Sequence, residues 1–459
     1  MLIAIAGAVA SMLLGAWERR SAAVWTAASG LAAGAVLAAI RLTPAAPADP
    51  VGRIDPILVA ACLGITALVI AGSHRSLTDG ADGIRIAALG ALAGAASALV
   101  ATSHDVVVLF LAVETLALLG YGLVALGGTD RAREAAMKWF VQGSIATAVF
   151  IMGLGVLVGA SGGATSYSAI AAAASAHAAG VTVGCVLVLA ALLFKAGAFP
   201  FHSWMPDAFE TAPPVATAIL ASAGKIAPIG AIAYLVASYP DSVRGRLVLI
   251  LAAISLCSIV FGNLAALRQR DFGRMLAYSG VAQIGYALTG LIVPAGFLAP
   301  LVFAIVYALA ASAAFLIAVA VREQRPGWDG SIAGLAGLST SSPLLAAALA
   351  VVMFSLTGIP LTAGFWAKFT VFGLAVVGGN TWLVVVGMLG SVVSFGYYGA
   401  VLRAAYMEQP AEEAEVGSTV TAAAPRGALI AACILALIIV LAGIAPFVLG
   451  LSSLTAIFV

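Results

Sequence analysis

The chain repeats one pattern almost end to end: a run of mostly apolar residues, then a short polar or charged break. Fourteen such runs can be drawn, at about 1–16, 21–41, 56–72, 84–102, 105–126, 137–160, 179–199, 213–238, 245–267, 275–293, 297–321, 343–376, 381–405 and 427–450. Runs of roughly 20 apolar residues predict membrane-crossing helices, because that length spans the hydrocarbon layer and a helix satisfies its own backbone polar groups. The expected fold class is an all-α polytopic membrane protein of about 14 transmembrane helices, a single transmembrane domain over residues 1–459. The longest polar stretches, 42–56, 161–178 and 408–426, are expected as connecting loops. Segment 166–178 has room for a short surface helix, and the last stretch is acidic through Glu408, Glu412, Glu413 and Glu415.

Three runs are interrupted. The seventh ends in Phe194-Lys195-Ala196-Gly197-Ala198-Phe199-Pro200. The eighth carries Gly224-Lys225 with Pro228 close behind. The twelfth is too long for one straight crossing and contains Thr357-Gly358-Ile359-Pro360, then Gly364, then Lys368. Proline inside a helix removes a backbone hydrogen bond, and in lipid the freed carbonyl must find protein or water. Breaks at corresponding places in two halves point to a transporter built from repeats. The expectation is two five-helix units, helices 4–8 over 84–238 and helices 9–13 over 245–405. An odd number of crossings per unit makes their topologies inverted.

Charge placement orients the chain. Loops after odd-numbered runs hold thirteen of the seventeen arginines, and loops after even-numbered runs hold Arg41, Arg53, Arg244 and Arg246. The positive-inside bias puts the odd loops in the cytoplasm and both termini on the other side. The expected location is a bacterial plasma (inner) membrane, with no cleaved leader, since the charges Arg19 and Arg20 follow the first apolar run.

Composition removes other classes. With 63% hydrophobic residues, 9% charged residues and a net charge of +2, the chain lacks the basic face that nucleic acid requires. Cys62, Cys185, Cys257 and Cys433 stand alone within apolar runs and read as packing residues, without metal-ligand spacing. Paired cysteines, haem-type histidine pairs, phosphate loops and nucleophile–base motifs are absent. No metal or cofactor is expected on this chain.

The chemistry that remains is acid–base. All four lysines, Lys138, Lys195, Lys225 and Lys368, sit inside apolar runs, whereas the arginines lie near run ends or in loops. An ionisable side chain at a helix centre costs about 2.5–3.5 kcal/mol on insertion scales. Arginine keeps its charge almost everywhere, whereas a lysine removed from water exchanges its proton readily. Of nineteen acids only Glu114 lies in mid-run, with Asp105 at that helix's mouth. One buried carboxylate with several buried amines is the minimum for a proton relay; a static ion pair between two helices is the competing account. Lys138 lies near the Arg131/Arg133 loop, where snorkelling to the interface explains it equally well. Gln142, Asn263, Tyr278, Ser279, Gln283, Tyr286, Ser355 and Thr362 fit either a water wire or simple helix bridging.

The run from Phe194 through Pro200, Phe201-His202-Ser203-Trp204-Met205-Pro206-Asp207 and on to Glu210 resembles the proton-translocation segment of antiporter-like subunits of respiratory complex I and Mrp-type cation/proton antiporters. Phe110-Leu111-Ala112-Val113-Glu114 is similar to that family's fifth-helix glutamate motif, and Glu134 to Phe140 to the start of its sixth helix. Gly262 to Leu267 and Met275 to Ser279 resemble the ninth and tenth helices, and Ser355 to Phe369 the broken twelfth. Lys368 after that break resembles the N-type branch, the N subunit of NADH–quinone oxidoreductase. Gln283 departs from the family, which often has histidine there.

The resemblance implies a proton-translocating subunit of a NADH–quinone oxidoreductase, with other membrane subunits of complex I, membrane lipid and protons as partners. Glu114 and Lys195 would be the coupling pair, Lys225 the central relay, Lys368 the exit-side site and Lys138 a modulator. NADH and quinone would be used elsewhere in the complex, with no redox centre here. A secondary cation/proton antiporter in an Mrp-like assembly and a transport-dead scaffold remain as alternatives; retention of Glu114 and all four lysines speaks against the scaffold.

Overall fold

In the computed structural model, residues 1–40, 50–293, 296–409 and 426–449 are described, and among them there are nineteen α-helices and no strand. The polar stretches 42–49 and 410–425, with Glu412, Glu413, Glu415 and Arg41, lie outside the described residues. Helices α1 (Leu2–Ala16), α2 (Arg20–Ile40) and α3 (Pro50–Gly72) come first, followed by the short α4 (His74–Asp79). The next block holds α5 (Gly83–Ala101), α6 (Val106–Ala125), α7 (Asp130–Ala160), α8 (Tyr167–Ala196), α9 (Trp204–Thr211), α10 (Pro214–Ala221) and α11 (Ala223–Ala237). A second block holds α12 (Asp241–Ala266), α13 (Phe272–Gly290), α14 (Leu298–Gln324), α15 (Leu338–Ser341), α16 (Pro343–Thr357), α17 (Ala363–Val377) and α18 (Thr381–Met407). Helix α19 (Arg426–Leu449) closes the described chain.

Eleven segments, among them the α10–α11 pair taken together, are long and apolar enough to cross a membrane, and α1, α16 and α17 are shorter apolar helices. This is a multi-pass membrane protein. Its outer faces expose Leu111, Leu118, Ile145, Leu249, Val392 and similar side chains, as a lipid-facing surface requires. The interior is built on small residues. A Cβ placed on Gly262 of α12 would stand 2.5 Å from the Ala282 nitrogen of α13, so these two backbones touch because glycine is there.

Segment 166–178 forms the short helix expected of it: it is helical from Tyr167, capped by Ser166, and non-helical backbone at His177 (φ −127°, ψ 40°) sets it apart from the part of α8 that carries Lys195. An alanine-rich stretch propagates helix. Two other expectations need correction. The break in the eighth run is not at Gly224-Lys225 but at Ser222 (φ −110°, ψ −92°), and Pro228 lies inside α11. The Ser222 hydroxyl donates to the Ala218 and Ile219 carbonyls at 2.5 and 3.3 Å, satisfying the last turn of α10. Cys257 is exposed, so the packing reading fits the buried Cys62 and Cys185 better.

The two blocks share their helix ends. Asp105 caps α6 and pairs across an antiparallel bridge with Ser166; Asp271 caps α13 and pairs in the same way with Ser331. Val106 N–H donates to Thr165 C=O and Phe272 N–H to Gly330 C=O, both at 2.9 Å. The ends of α8 and α16 match too. Gly197 (φ +80°) and Gly358 (φ +92°) take the left-handed conformation that ends a helix and that glycine adopts without strain.

Candidate functional site

The site grows out of these two helix ends. In the first block, α8 stops at Ala196, and the turn from Gly197 leads into α9. Lys195, in the last turn, contacts Glu114 of α6 at 3.3 Å, with 10% and 22% of the two side chains exposed. Neither contacting atom makes an aligned hydrogen bond, so the contact is one of charge. Beside it lies a cavity of about 30 Å³, lined by Lys195, Trp139, Trp204, Gly224 and Pro228 among others, enough for a water. Trp139 and Trp204 stack with ring centres 4.1 Å apart and wall this space.

Lys225 projects from the first turn of α11 and is 1% exposed. Its ammonium donates to the Ala196 carbonyl at 2.6 Å and contacts Met205 Sδ at 2.9 Å. It lies 5.0 Å from the Trp204 ring centre and 5.7 Å from that of Phe209. Lys368 repeats the arrangement in the second block. It donates to Leu356 and Thr357 carbonyls at 3.1 and 2.8 Å and to Ser391 at 3.3 Å, with the Tyr286 ring centre 4.5 Å away. Both cations thus sit on the last carbonyls of a broken helix, the negative end of its dipole. Cation–π contact adds to that stabilisation.

Lys138 differs. About half of its side chain is exposed, and it pairs with Glu134 at 2.7 Å and Asp207 at 3.6 Å. Of the four lysines, Lys225 and Lys368 are thus the two without an acid partner among the described residues.

The remaining polar side chains form one network around Lys368. Gln283 Nε2 donates at 2.8 Å to the Leu356 carbonyl that Lys368 also uses. Ser279 bonds to Tyr398, Tyr397 donates to Asn263 at 3.0 Å, and Asn263 donates to Tyr286 at 3.0 Å. Ser355 accepts from Gly364 N–H, and Thr362 donates to Ile359 C=O, so these two serve the helix break. Gln142 is elsewhere, accepting from Ser203 at 2.9 Å.

Sequence reasoning missed Ser391, Tyr397 and Tyr398 on α18. The i, i+7 placement of Ser391 and Tyr398 within an apolar run was the available signal. It also left unnoticed Arg274, which bridges Asp207 at 2.8 Å and Glu210 at 2.7 Å and ties the α9 segment to α13. On the other rim, Asp55 accepts from Tyr234 and pairs with His104 at 2.9 Å.

Residues 103–394 match the family described as NADH:quinone oxidoreductase/Mrp antiporter, transmembrane, a stretch containing all four lysines and Glu114. The chain belongs to this family. A relative from Syntrophobacter fumaroxidans, named NADH-quinone oxidoreductase subunit N 2, is 41% identical over 320 residues, 69% of this chain and 67% of its own. Among solved structures, a chain of respiratory complex I from Thermus thermophilus superposes with a TM-score of 0.78 at 26% identity, covering 97% of this chain and 99% of that one. A chain of the Mrp complex from Dietzia sp. superposes with a TM-score of 0.82 at 20% identity, covering 98% and 94%; that likeness concerns the fold alone. The antiporter-family match covers both broken-helix sites.

Proposed function

We propose that this chain is a proton-translocating membrane subunit of a NADH–quinone oxidoreductase, passing protons through a buried Glu/Lys relay driven by quinone reduction in other subunits. The observation that carries the reading is the Glu114–Lys195 contact at 3.3 Å, one residue from the carbonyl that holds Lys225. A change in the charge of the first pair is felt at once at the second lysine. Glu114 and Lys195 are the coupling pair, Lys225 the central relay, Lys368 the exit-side site and Lys138 an anchoring or modulating cation. Gln283 carries no proton of its own. It holds the Leu356 carbonyl beside Lys368, and a proton passing there moves on water.

In this reading the chain crosses the membrane fourteen times, with both termini on the non-cytoplasmic side of a bacterial inner membrane. Residues 84–238 and 245–405 are inverted repeats, a view supported by the paired aspartate caps and the paired glycine breaks. Its partners are the neighbouring membrane subunits; NADH and quinone act elsewhere, and no cofactor binds here.

The experiment is NADH-driven proton uptake by inside-out vesicles carrying Glu114→Gln, Lys195→Ala or Lys225→Ala, with assembly checked on native gels. Assembled variants that oxidise NADH but fail to pump are expected. Normal pumping in all three would refute the relay. Proton movement that requires Na⁺ and proceeds without NADH oxidation would favour a secondary antiporter in an Mrp-like assembly.

A further inference from the structure

Asp105 and Asp271 hold the same position in the two blocks, but only one of them is saturated. Asp105 Oδ1 accepts from Val107 and Val108 N–H at 2.8 and 3.0 Å, and its Oδ2 accepts from the Thr165 hydroxyl at 2.5 Å. Asp271 Oδ1 accepts from Arg274 N–H at 2.7 Å. The residue that corresponds to Thr165, by its backbone bond to the following residue, is Gly330. Its φ of +93° selects glycine, so no hydroxyl reaches Asp271 Oδ2.

Asp271 borders a cavity of about 20 Å³, lined also by Glu210, Arg322, Thr217, Phe209 and Trp328 among others. The volume admits a water with polar partners. Phe209 is one wall of this cavity, and its ring centre lies 5.7 Å from Lys225 Nζ. The charged groups around Asp271 are Glu210 from α9, Arg322 from α14 and Arg274 from its own helix, the last engaged with Asp207 and Glu210.

We propose that Asp271 is the proton-exchange residue at the arginine-rich mouth of the molecule, serving Lys225 across this cavity and the edge of Phe209. The inference rests on the relay reading above. The Asp271 carboxylate takes a proton from hydronium and leaves water. The carboxylic acid then gives that proton, through water in the cavity, to neutral Lys225, restoring the carboxylate and forming an ammonium on the Ala196 carbonyl. The environments agree with this role. Burial, opposed by the backbone bonds and reinforced by Glu210, pushes the Asp271 carboxyl up to about 6. At Asp105 burial also pushes upward, but the Thr165, Val108 and Val107 hydrogen bonds outweigh it and hold the carboxyl below its ordinary value.

The test uses the assembled complex in vesicles. Asp271→Asn and Asp271→Ser both retain a good helix cap and remove the titrating oxygen. NADH-driven pumping should fall about tenfold, below the usual range for loss of an acid–base group because water can partly substitute. The wild-type pumping profile should lose its inflection near pH 6, and the infrared carboxylic-acid band titrating there should vanish in both variants. Asp105→Asn should keep the wild-type profile. Wild-type pumping and profile in Asp271→Asn, or persistence of that infrared band in both variants, overturns the inference. Lys225→Ala is measured alongside. If it stops pumping while Asp271→Asn does not, only the role of Asp271 fails; if it pumps normally, the relay fails and this inference with it.

Discussion

Residues 84–238 and 245–405 each hold a buried lysine on the carbonyls of a helix end, but only the first also carries a lysine paired with a carboxylate. Nine residues after Asp105 stands Glu114; nine residues after Asp271 stands Gly280. The first half therefore balances Lys195 with a formal charge. The second half has no mid-helix carboxylate and holds Lys368 with two helix-end carbonyls, a serine hydroxyl and an aromatic face. A carboxylate makes an amine's proton affinity switchable, because the pair can separate. Dipoles fixed by the backbone give a constant environment. The comparison teaches that one scaffold carries a lysine balanced by a carboxylate and a lysine held by dipoles and an aromatic face.

The largest expected effect comes from removing the exchangeable proton in either half. Lys225→Arg and Lys368→Arg keep the charge but do not release it at accessible pH. Each should lower pumping on the order of 100-fold, as expected for loss of an acid–base group. Vesicle pumping by assembled Lys225→Arg at the wild-type rate would replace the relay with a fixed-charge role.

Next comes the pair that only the first half has. Glu114→Gln leaves a largely buried ammonium without its counter-charge, a change that costs roughly 3–5 kcal/mol where the charge persists. Pumping and thermal stability should both drop, and Glu114→Gln/Lys195→Met should recover stability but not pumping. If the double variant is no more stable than Glu114→Gln, the contact is not an energetic pair.

The two aspartate caps should respond to pH with opposite signs. Asp105 is held below its ordinary value, so it stabilises the fold above the unfolded pKa and loses that effect as pH falls through its folded value. Asp271 is held up at about 6; the fold binds its proton more tightly than the unfolded chain, so stability declines as pH rises from the ordinary carboxylate value through about 6. Thermal inactivation midpoints of detergent-solubilised protein read the two slopes in different windows: Asp105→Asn against wild type below the ordinary carboxylate value, and Asp271→Asn against wild type between that value and about 6. Asp105→Ala should also cost about 1 kcal/mol as a lost helix cap.

The smallest effect is expected at Lys138, whose exposed pairs with Glu134 and Asp207 need only a cation. Lys138→Arg should pump close to wild type, since exposed ion pairs contribute about 0–1 kcal/mol. A loss as large as that of Lys225→Arg would move Lys138 into the relay itself.

Much of this was legible in the sequence because membrane insertion acts on local composition. Apolar run length alone marked helices, and the cost of burying charge made Glu114 and four lysines conspicuous. The positions of Gly197 and Gly358, with Pro200 and Pro360 three and two residues on, marked two helix ends correctly. The third break was misplaced because Pro228 is a local signal, whereas Ser222 became the break through hydroxyl bonds to the turn before it. The acid partners of Lys138 were not foreseen: α7 begins at Asp130, which brings Glu134 one turn away, and Asp207 reaches it from α9.

The sequence by itself determined the all-helical membrane character, the list of ionisable groups inside it and the two glycine breaks. Each follows from chemistry within about one helical run: hydrophobicity, desolvation cost and backbone conformation. Only the tertiary structure decided which groups meet. Glu114 and Lys195 are 81 residues apart in the chain, and the carbonyl that holds Lys225 belongs to a different helix. That Asp271 lacks the hydroxyl Asp105 receives depends on Gly330, 59 positions from Asp271, and on Thr165, 60 positions from Asp105. Such pairings are set by how helices pack and where loops return, which no local property of the chain encodes.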